Sequence, residues 1–152
     1  MSTYRPGPSA AVPHIVGVHL YLERGGRILL GLRHPDSAYA GDFHHLPAGH
    51  CEQESAAACL AREAWEEAGL VVDPAGAELV QVVHMVHTPG GQPRIQLFFR
   101  AGAEGEPEVR EPDRCVSWGW WPADALPEPT VPYARAAIEG IRAGRLFTEV
   151  GW

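Results

Sequence analysis

Leu46-Pro47-Ala48-Gly49-His50-Cys51-Glu52-Gln53-Glu54 is followed, after seven residues, by Arg62-Glu63-Ala64-Trp65-Glu66-Glu67-Ala68-Gly69-Leu70. From Ser55 to Ala68 the chain is rich in alanine and free of proline and glycine, and Gly69 comes next. That composition predicts a helix of about four turns closed by a glycine cap. On such a helix Glu63, Glu66 and Glu67 stand at i, i+3 and i+4 and share one face. Ala57, Leu60, Ala64 and Ala68 form a neighbouring apolar face suited to packing inward. Carboxylates at this spacing repel one another by about a few tenths of a kcal/mol. Two explanations therefore stand: a solvated acidic face, or ligands gathered for a hard cation such as Mg²⁺, which takes oxygen donors and is often shared with substrate phosphates. Arg62, beside Glu63 and four residues before Glu66, is placed to orient a ligating carboxylate.

The residues ahead of the helix favour the second explanation. A Pro47-Ala48-Gly49 turn can bring backbone close to a phosphate or a metal, with a helix N-terminus behind it as an anion site. The whole stretch resembles the signature of the Nudix hydrolases, a family that uses divalent metal to cut diphosphate linkages joined to another group. That pattern runs glycine, five residues, glutamate, seven residues, arginine-glutamate, an apolar residue, any residue, glutamate-glutamate, any residue, glycine, apolar residue, and Glu54 to Leu70 matches it with Ala64 in the apolar place. Only four residues separate Gly49 from Glu54. The shorter loop has up to about 3.3–3.6 Å less extended chain. It is expected to absorb the change, because the helix carboxylates keep their own register.

The resemblance implies an α+β fold, an α/β/α sandwich with a mixed β-sheet between helices. It implies metal ligation by Glu63, Glu66 and Glu67 with the carbonyl of Gly49, Mg²⁺ as the cation and Mn²⁺ as its substitute. Catalysis would involve Glu63, a candidate general base in a family whose members differ in which glutamate serves, and Arg62, with Glu111 as an outlying candidate in a loop able to fold over the cleft; an exposed loop glutamate is the plainer account of that residue. The segment from Arg110 to Pro122 also resembles an element of Nudix nucleoside triphosphate pyrophosphatases, some of which sanitise oxidised nucleotides. Within it Trp118 and Trp120 share one strand face and Trp121 the other. An indole there either stacks on a base or packs the core. Arg33, at a strand end, is a candidate for a phosphate contact. His44 and His45 face opposite sides of a strand and are not read as a zinc site with His50.

Composition sets the outer limits. The 152 residues are 45% hydrophobic, ordinary for one globular domain. A formal charge of -7 argues against a nucleic-acid polymer as partner, although metal can still carry an anionic phosphate substrate. Cys51, Cys59 and Cys115 make no CxxC pair, so neither a disulfide framework nor a zinc ribbon is suggested, and a reducing cytoplasm is the expected home. No apolar run is long enough for a membrane-spanning helix, and the first residues show no basic stretch followed by an apolar one, so the chain is expected to be soluble and unexported.

Residues 1–13, with their prolines and small polar residues, read as a loose arm, and 14–152 as a single domain. Within it, strands are expected at 14–23, 27–33, 79–87, 94–103 and 115–121, a short extended piece at 43–46, and a closing helix at 131–143. The leading function is Mg²⁺-dependent release of pyrophosphate from a nucleoside triphosphate, oxidised or modified ones included. Alternatives are hydrolysis of a nucleotide sugar, ADP-ribose, a dinucleotide or another metabolite diphosphate and, from a different class, a non-catalytic nucleotide-binding module. Homodimers are frequent in such folds, and the sequence supplies no feature that decides oligomeric state.

Overall fold

The computed structural model describes residues 3, 5, 7, 8 and 10–152. The expected N-terminal arm lies partly outside the described residues; from 10 to 14 the chain forms neither helix nor strand.

Strand β1 (Ile15–Tyr21) divides its side chains between two cores, because successive residues point to opposite faces of a sheet. Val18 and Leu20 enter one core with Leu29 and Phe99; Tyr21 enters the other with Ile28, Val83 and Phe98. Two short strands and a longer one follow, β2 (Glu23–Arg24), β3 (Arg27–Arg33) and β4 (His44–His45). The signature begins in β5 (Ala48–His50) and continues into α1 (Ala56–Ala68). The remaining elements are β6 (Glu78–Met85), β7 (Arg94–Arg100), β8 (Cys115–Pro122), α2 (Pro132–Arg142) and β9 (Phe147–Val150).

The main sheet is mixed and five-stranded in the order β5-β1-β7-β6-β9, with β1 parallel to β7 and β6 parallel to β9. A smaller sheet is built around β3, which pairs with β8 on one edge and with β2 and β4 on the other. Helix α1 inserts Cys59, Leu60, Ala64 and Ala68 into the Val18–Leu20 core, while α2 inserts Ala134, Ala137 and Ile138 into the Tyr21–Phe98 core. The sheet thus lies between helices, as expected. Both ends of α1 are sealed: Ser55 accepts a hydrogen bond from the Ala58 N–H at 3.1 Å, and Gly69 takes φ 68°, the left-handed turn that favours glycine.

Three features depart from the sequence reading. The segment 48–50 was expected as loop, since Ala-Gly-His has little strand preference, but it is a strand because Gly17, Val18 and His19 of β1 pair with His50, Gly49 and Ala48. β9 has no counterpart in the expected elements; its four residues become a strand through parallel pairing with β6, a partner more than sixty positions away. The second sheet is likewise a product of distant pairing, β3 with β8.

Candidate active site

A cleft of about 530 Å³ opens between the signature elements, β1, β7 and the start of α2. Its lining falls into two parts that differ in charge. At the acidic end, Glu63 and Glu67 project from α1 toward the β5 backbone. Glu67 is only 5% exposed, and its Oε2 accepts the Ala48 N–H at 3.1 Å. Burial pushes its carboxyl up to about 8, against the lowering effect of that N–H. Burial likewise raises Glu63, opposed by Arg62. Gly49 is required here by contact: a Cβ on it would run into the Glu63 carboxylate, so backbone and carboxylate approach as only glycine allows.

Arg62 holds the signature carboxylates together. Its Nε donates to both Glu54 oxygens at 3.1 Å and its Nη2 to Glu54 Oε1 at 2.6 Å, while Nη1 reaches Glu63 Oε1 at 2.9 Å and Glu66 Oε2 at 3.1 Å. The guanidinium hydrogen bonds hold the Glu54 carboxyl down at about 2. The one-residue shortening is taken up locally. The Glu54 N–H donates to Glu52 O at 2.8 Å and the Glu52 N–H to Glu54 Oε1 at 3.3 Å, a tight turn that delivers Glu54 to Arg62 despite the missing residue.

The donors that gather at this end are oxygens, the set a hard divalent cation prefers. Among the described residues no three His, Cys, Asp or Glu side chains already converge on one point. The reason is visible: Arg62 draws Glu63 and Glu66 toward itself, and Glu66 is 47% exposed, outside the cleft wall. The residues fit Mg²⁺ chemically: Glu63 approaches the Gly49 backbone, Glu67 is held on the Ala48 N–H, and Glu66 stands beside them on the exposed face of the helix.

The other end carries no formal charge. His19 of β1 and Gln96 of β7 lie side by side, their Nε2 and Oε1 2.8 Å apart. The His19 ring stacks on Phe98 at 4.2 Å and meets Tyr133 of α2 edge-on at 5.6 Å. Burial lowers His19 to about 4, so it is neutral at pH 7. Gly17 opens this end, since a Cβ there would strike the Gln96 amide oxygen. Arg33, Glu111, Asp113 and Arg114 also line the cleft. A tight turn, with the Arg114 N–H donating to Glu111 O at 2.8 Å, folds that loop toward the cleft. Arg33 is steadied by its Nε donating to Tyr39 O at 2.9 Å.

A NUDIX domain model matches residues 13–140. The chain belongs to the NUDIX family. Among solved structures, a MutT NUDIX hydrolase from Burkholderia pseudomallei is 32% identical, with 84% of this chain and 98% of that one covered at a TM-score of 0.76. The E. coli ORF135 protein shares the fold at 23% identity, covering 90% and 94% of the two chains with a TM-score of 0.74. An ADP-ribose pyrophosphatase from Streptococcus suis shares it at 20% identity, 90% and 98% coverage and a TM-score of 0.62. The protein is accordingly a pyrophosphohydrolase of the NUDIX type. Among the described residues, no helix is long and apolar enough to cross a membrane.

Of the residues singled out from the NUDIX signature and its surroundings, Arg33, Gly49, Glu63, Glu67 and Glu111 all line the cleft. Arg62 stands behind the carboxylates, and Glu66 at the rim. Trp118 and Trp120 are placed elsewhere. They do share a face, but it is the one packed against the α1 core. Trp118 lies flat over β3, where a Cβ on Gly31 would come within 2.7 Å of its ring, and its Nε1 donates to Glu108 O at 3.0 Å. The guanidinium of Arg24 covers Trp120. Sequence reasoning missed Gly17, His19, Gln96, Tyr133 and Arg114. Their signal was present for two of them: a histidine and a glutamine inside otherwise apolar strands, positions where a buried polar side chain calls for a partner.

Proposed function

We propose that this NUDIX hydrolase is a nucleotide pyrophosphohydrolase that, with Mg²⁺ or Mn²⁺, converts a nucleoside triphosphate, oxidised or modified ones included, to the monophosphate and pyrophosphate. The observation that carries the reading is that one cleft is lined both by carboxylates, suited to a cation-bound phosphate chain, and by the uncharged His19, Gln96 and Tyr133, suited to a planar heterocycle. A divalent cation bound by Glu63, Glu66, Glu67 and the Gly49 carbonyl would neutralise charge on the phosphate oxygens and acidify a water. Glu63, with its carboxyl raised by burial and Arg62 fixing one oxygen, is the group to take the proton from that water. The water oxygen bonds to phosphorus as the anhydride P–O bond breaks, and pyrophosphate departs with the bonding pair. Arg33 and Arg114 offer guanidinium N–H groups to phosphate oxygens, and Glu111 faces the same space. Trp118 and Trp120 act through packing. The free thiols of Cys51, Cys59 and Cys115 fit a reducing compartment such as the cytoplasm.

The test is a Mg²⁺-supplemented panel of nucleoside triphosphates, ADP-ribose, nucleotide sugars and dinucleotides. Colorimetric phosphate is followed with added inorganic pyrophosphatase, with added phosphomonoesterase, and with neither. Phosphate that appears from triphosphates with added pyrophosphatase, but not when both enzymes are omitted, is the expected result, the monophosphate product giving phosphate in the phosphomonoesterase arm as well. Phosphate from ADP-ribose or a dinucleotide only with the phosphomonoesterase would replace the substrate class. Micromolar nucleotide binding with no turnover anywhere would leave a binding module.

A further inference from the structure

Strand β4 is two residues long, yet its second residue forms part of the cleft wall. The His45 side chain keeps 12% of its exposure, and its Nε2 is sealed from solvent without a hydrogen-bond partner. A buried ring nitrogen left unmatched is a cost that native proteins rarely carry without a use. Glu67 Oε1 faces that nitrogen at 3.7 Å. The other oxygen of the same carboxylate, Oε2, is already fixed by the Ala48 N–H at 3.1 Å. The ring itself has little freedom: β4 pairs Gly31 with His45, and the imidazole lies stacked beside Trp118 at 6.3 Å.

We propose that His45 is a positioning residue for Glu67: a small closure brings its Nε2–H onto Oε1, so that imidazole and Ala48 amide grip the carboxylate from two sides and aim its remaining lone pairs at a divalent cation. Histidines and carboxylates beside a metal are commonly oriented by such a second hydrogen bond, and losing it typically weakens metal binding by about 10–100-fold. The inference rests on the reading of Glu67 as a metal ligand. It gives Trp118 an indirect part in the site, as the surface that keeps the imidazole in place.

Mn²⁺ binding to the full chain without nucleotide, measured by electron paramagnetic resonance of the free ion and by calorimetry, tests it. His45→Leu and His45→Asn are expected to weaken Mn²⁺ binding about tenfold or more, the asparagine variant because its shorter amide cannot reach Oε1. His45→Gln, whose longer side chain carries an N–H to about the position of Nε2, is expected to restore most of the affinity. Near-UV circular dichroism identifies folded variants, and the polar asparagine and glutamine variants decide the matter if leucine does not fold. Mn²⁺ affinity equal to wild type in either folded His45→Leu or His45→Asn overturns the proposal while leaving the metal reading intact. A wild-type chain that binds no Mn²⁺, or a Glu67→Gln variant that binds it as well as wild type, overturns the metal reading and this inference with it.

Discussion

At the acidic end of the cleft the carboxylates and the backbone that hold them come from residues 48–67, one strand and the helix that follows it, whereas the neutral end takes His19 from β1, Gln96 from β7 and Tyr133 from α2. The first end is positioned by hydrogen bonds over short sequence distances: Arg62 to Glu54, Glu63 and Glu66, and the Ala48 amide to Glu67. The second is positioned by contacts between distant elements, with His19 pressed on Phe98 and hydrogen-bonded to Gln96, and Gln96 fitted over Gly17. A site assembled this way can keep its chemistry fixed while its selectivity varies, because substitutions at the neutral end leave the signature's hydrogen bonds untouched.

Glu67→Gln is the strongest blow to the acidic end. Turnover at saturating Mg²⁺ is expected to fall by at least about 10²-fold, since a ligand matters no less than the groups that orient it. The same is expected of Glu66→Gln, and steady-state pyrophosphate release checks both; wild-type rates in Glu66→Gln would remove that rim residue from the ligand set. The Glu67 variant carries a second signature. In metal-free wild type the buried carboxyl keeps its proton to about 8 while the unfolded chain loses it near the ordinary carboxyl value of 4.5. The native state therefore binds more protons in that window, and stability falls as pH rises through it. Chemical denaturation in chelator at several pH values should show that decline in wild type and a flatter profile in Glu67→Gln.

Arg62→Ala is expected to cost roughly 10–100-fold in apparent Mg²⁺ affinity, read from activation curves, because it frees three carboxylates at once. Gln96→Leu addresses the neutral end alone. A lost hydrogen bond of about 1–1.5 kcal/mol is a change of roughly tenfold in KM, expected to differ among the nucleobases, while Mn²⁺ affinity stays at the wild-type value. A uniform loss across substrates, or a loss of Mn²⁺ binding, would erase the distinction between the ends. The smallest effect is Ser55→Ala, which removes the α1 cap. It should lower stability by about 1 kcal/mol in denaturant titration, with turnover below the melting range little changed.

The acidic end was legible because its information is local. Helical spacing places Glu63, Glu66 and Glu67 on one face, and Ser55 and Gly69 mark the helix limits with side-chain and backbone chemistry that acts within a turn. The effect of the shortened loop was less so; its outcome depended on a three-residue turn at Glu52–Glu54 that spacing alone does not specify. Strands β1, β3, β6, β7 and β8 announced themselves through β-branched and aromatic residues, but their neighbours did not. Strand β5 exists because β1 supplies a ladder, and β9 because β6 does. For the same reason the neutral end stayed hidden: nothing within β1 says that Gln96 will lie beside His19, and nothing within β8 says that Gly31 leaves room for Trp118 to lie on β3 instead of reaching the cleft.

One guanidinium bonded to three carboxylates has a practical meaning for how such an enzyme lives between cations. Arg62 serves as an internal counter-ion, so Glu54, Glu63 and Glu66 remain gathered in the helix and loop when the solution offers no divalent ion. Assembly of the fold then does not wait on metal supply. The chain should survive stripping with a chelator and regain activity on simple recharging, each cation entering by taking over acidic groups that an arginine has kept in reserve.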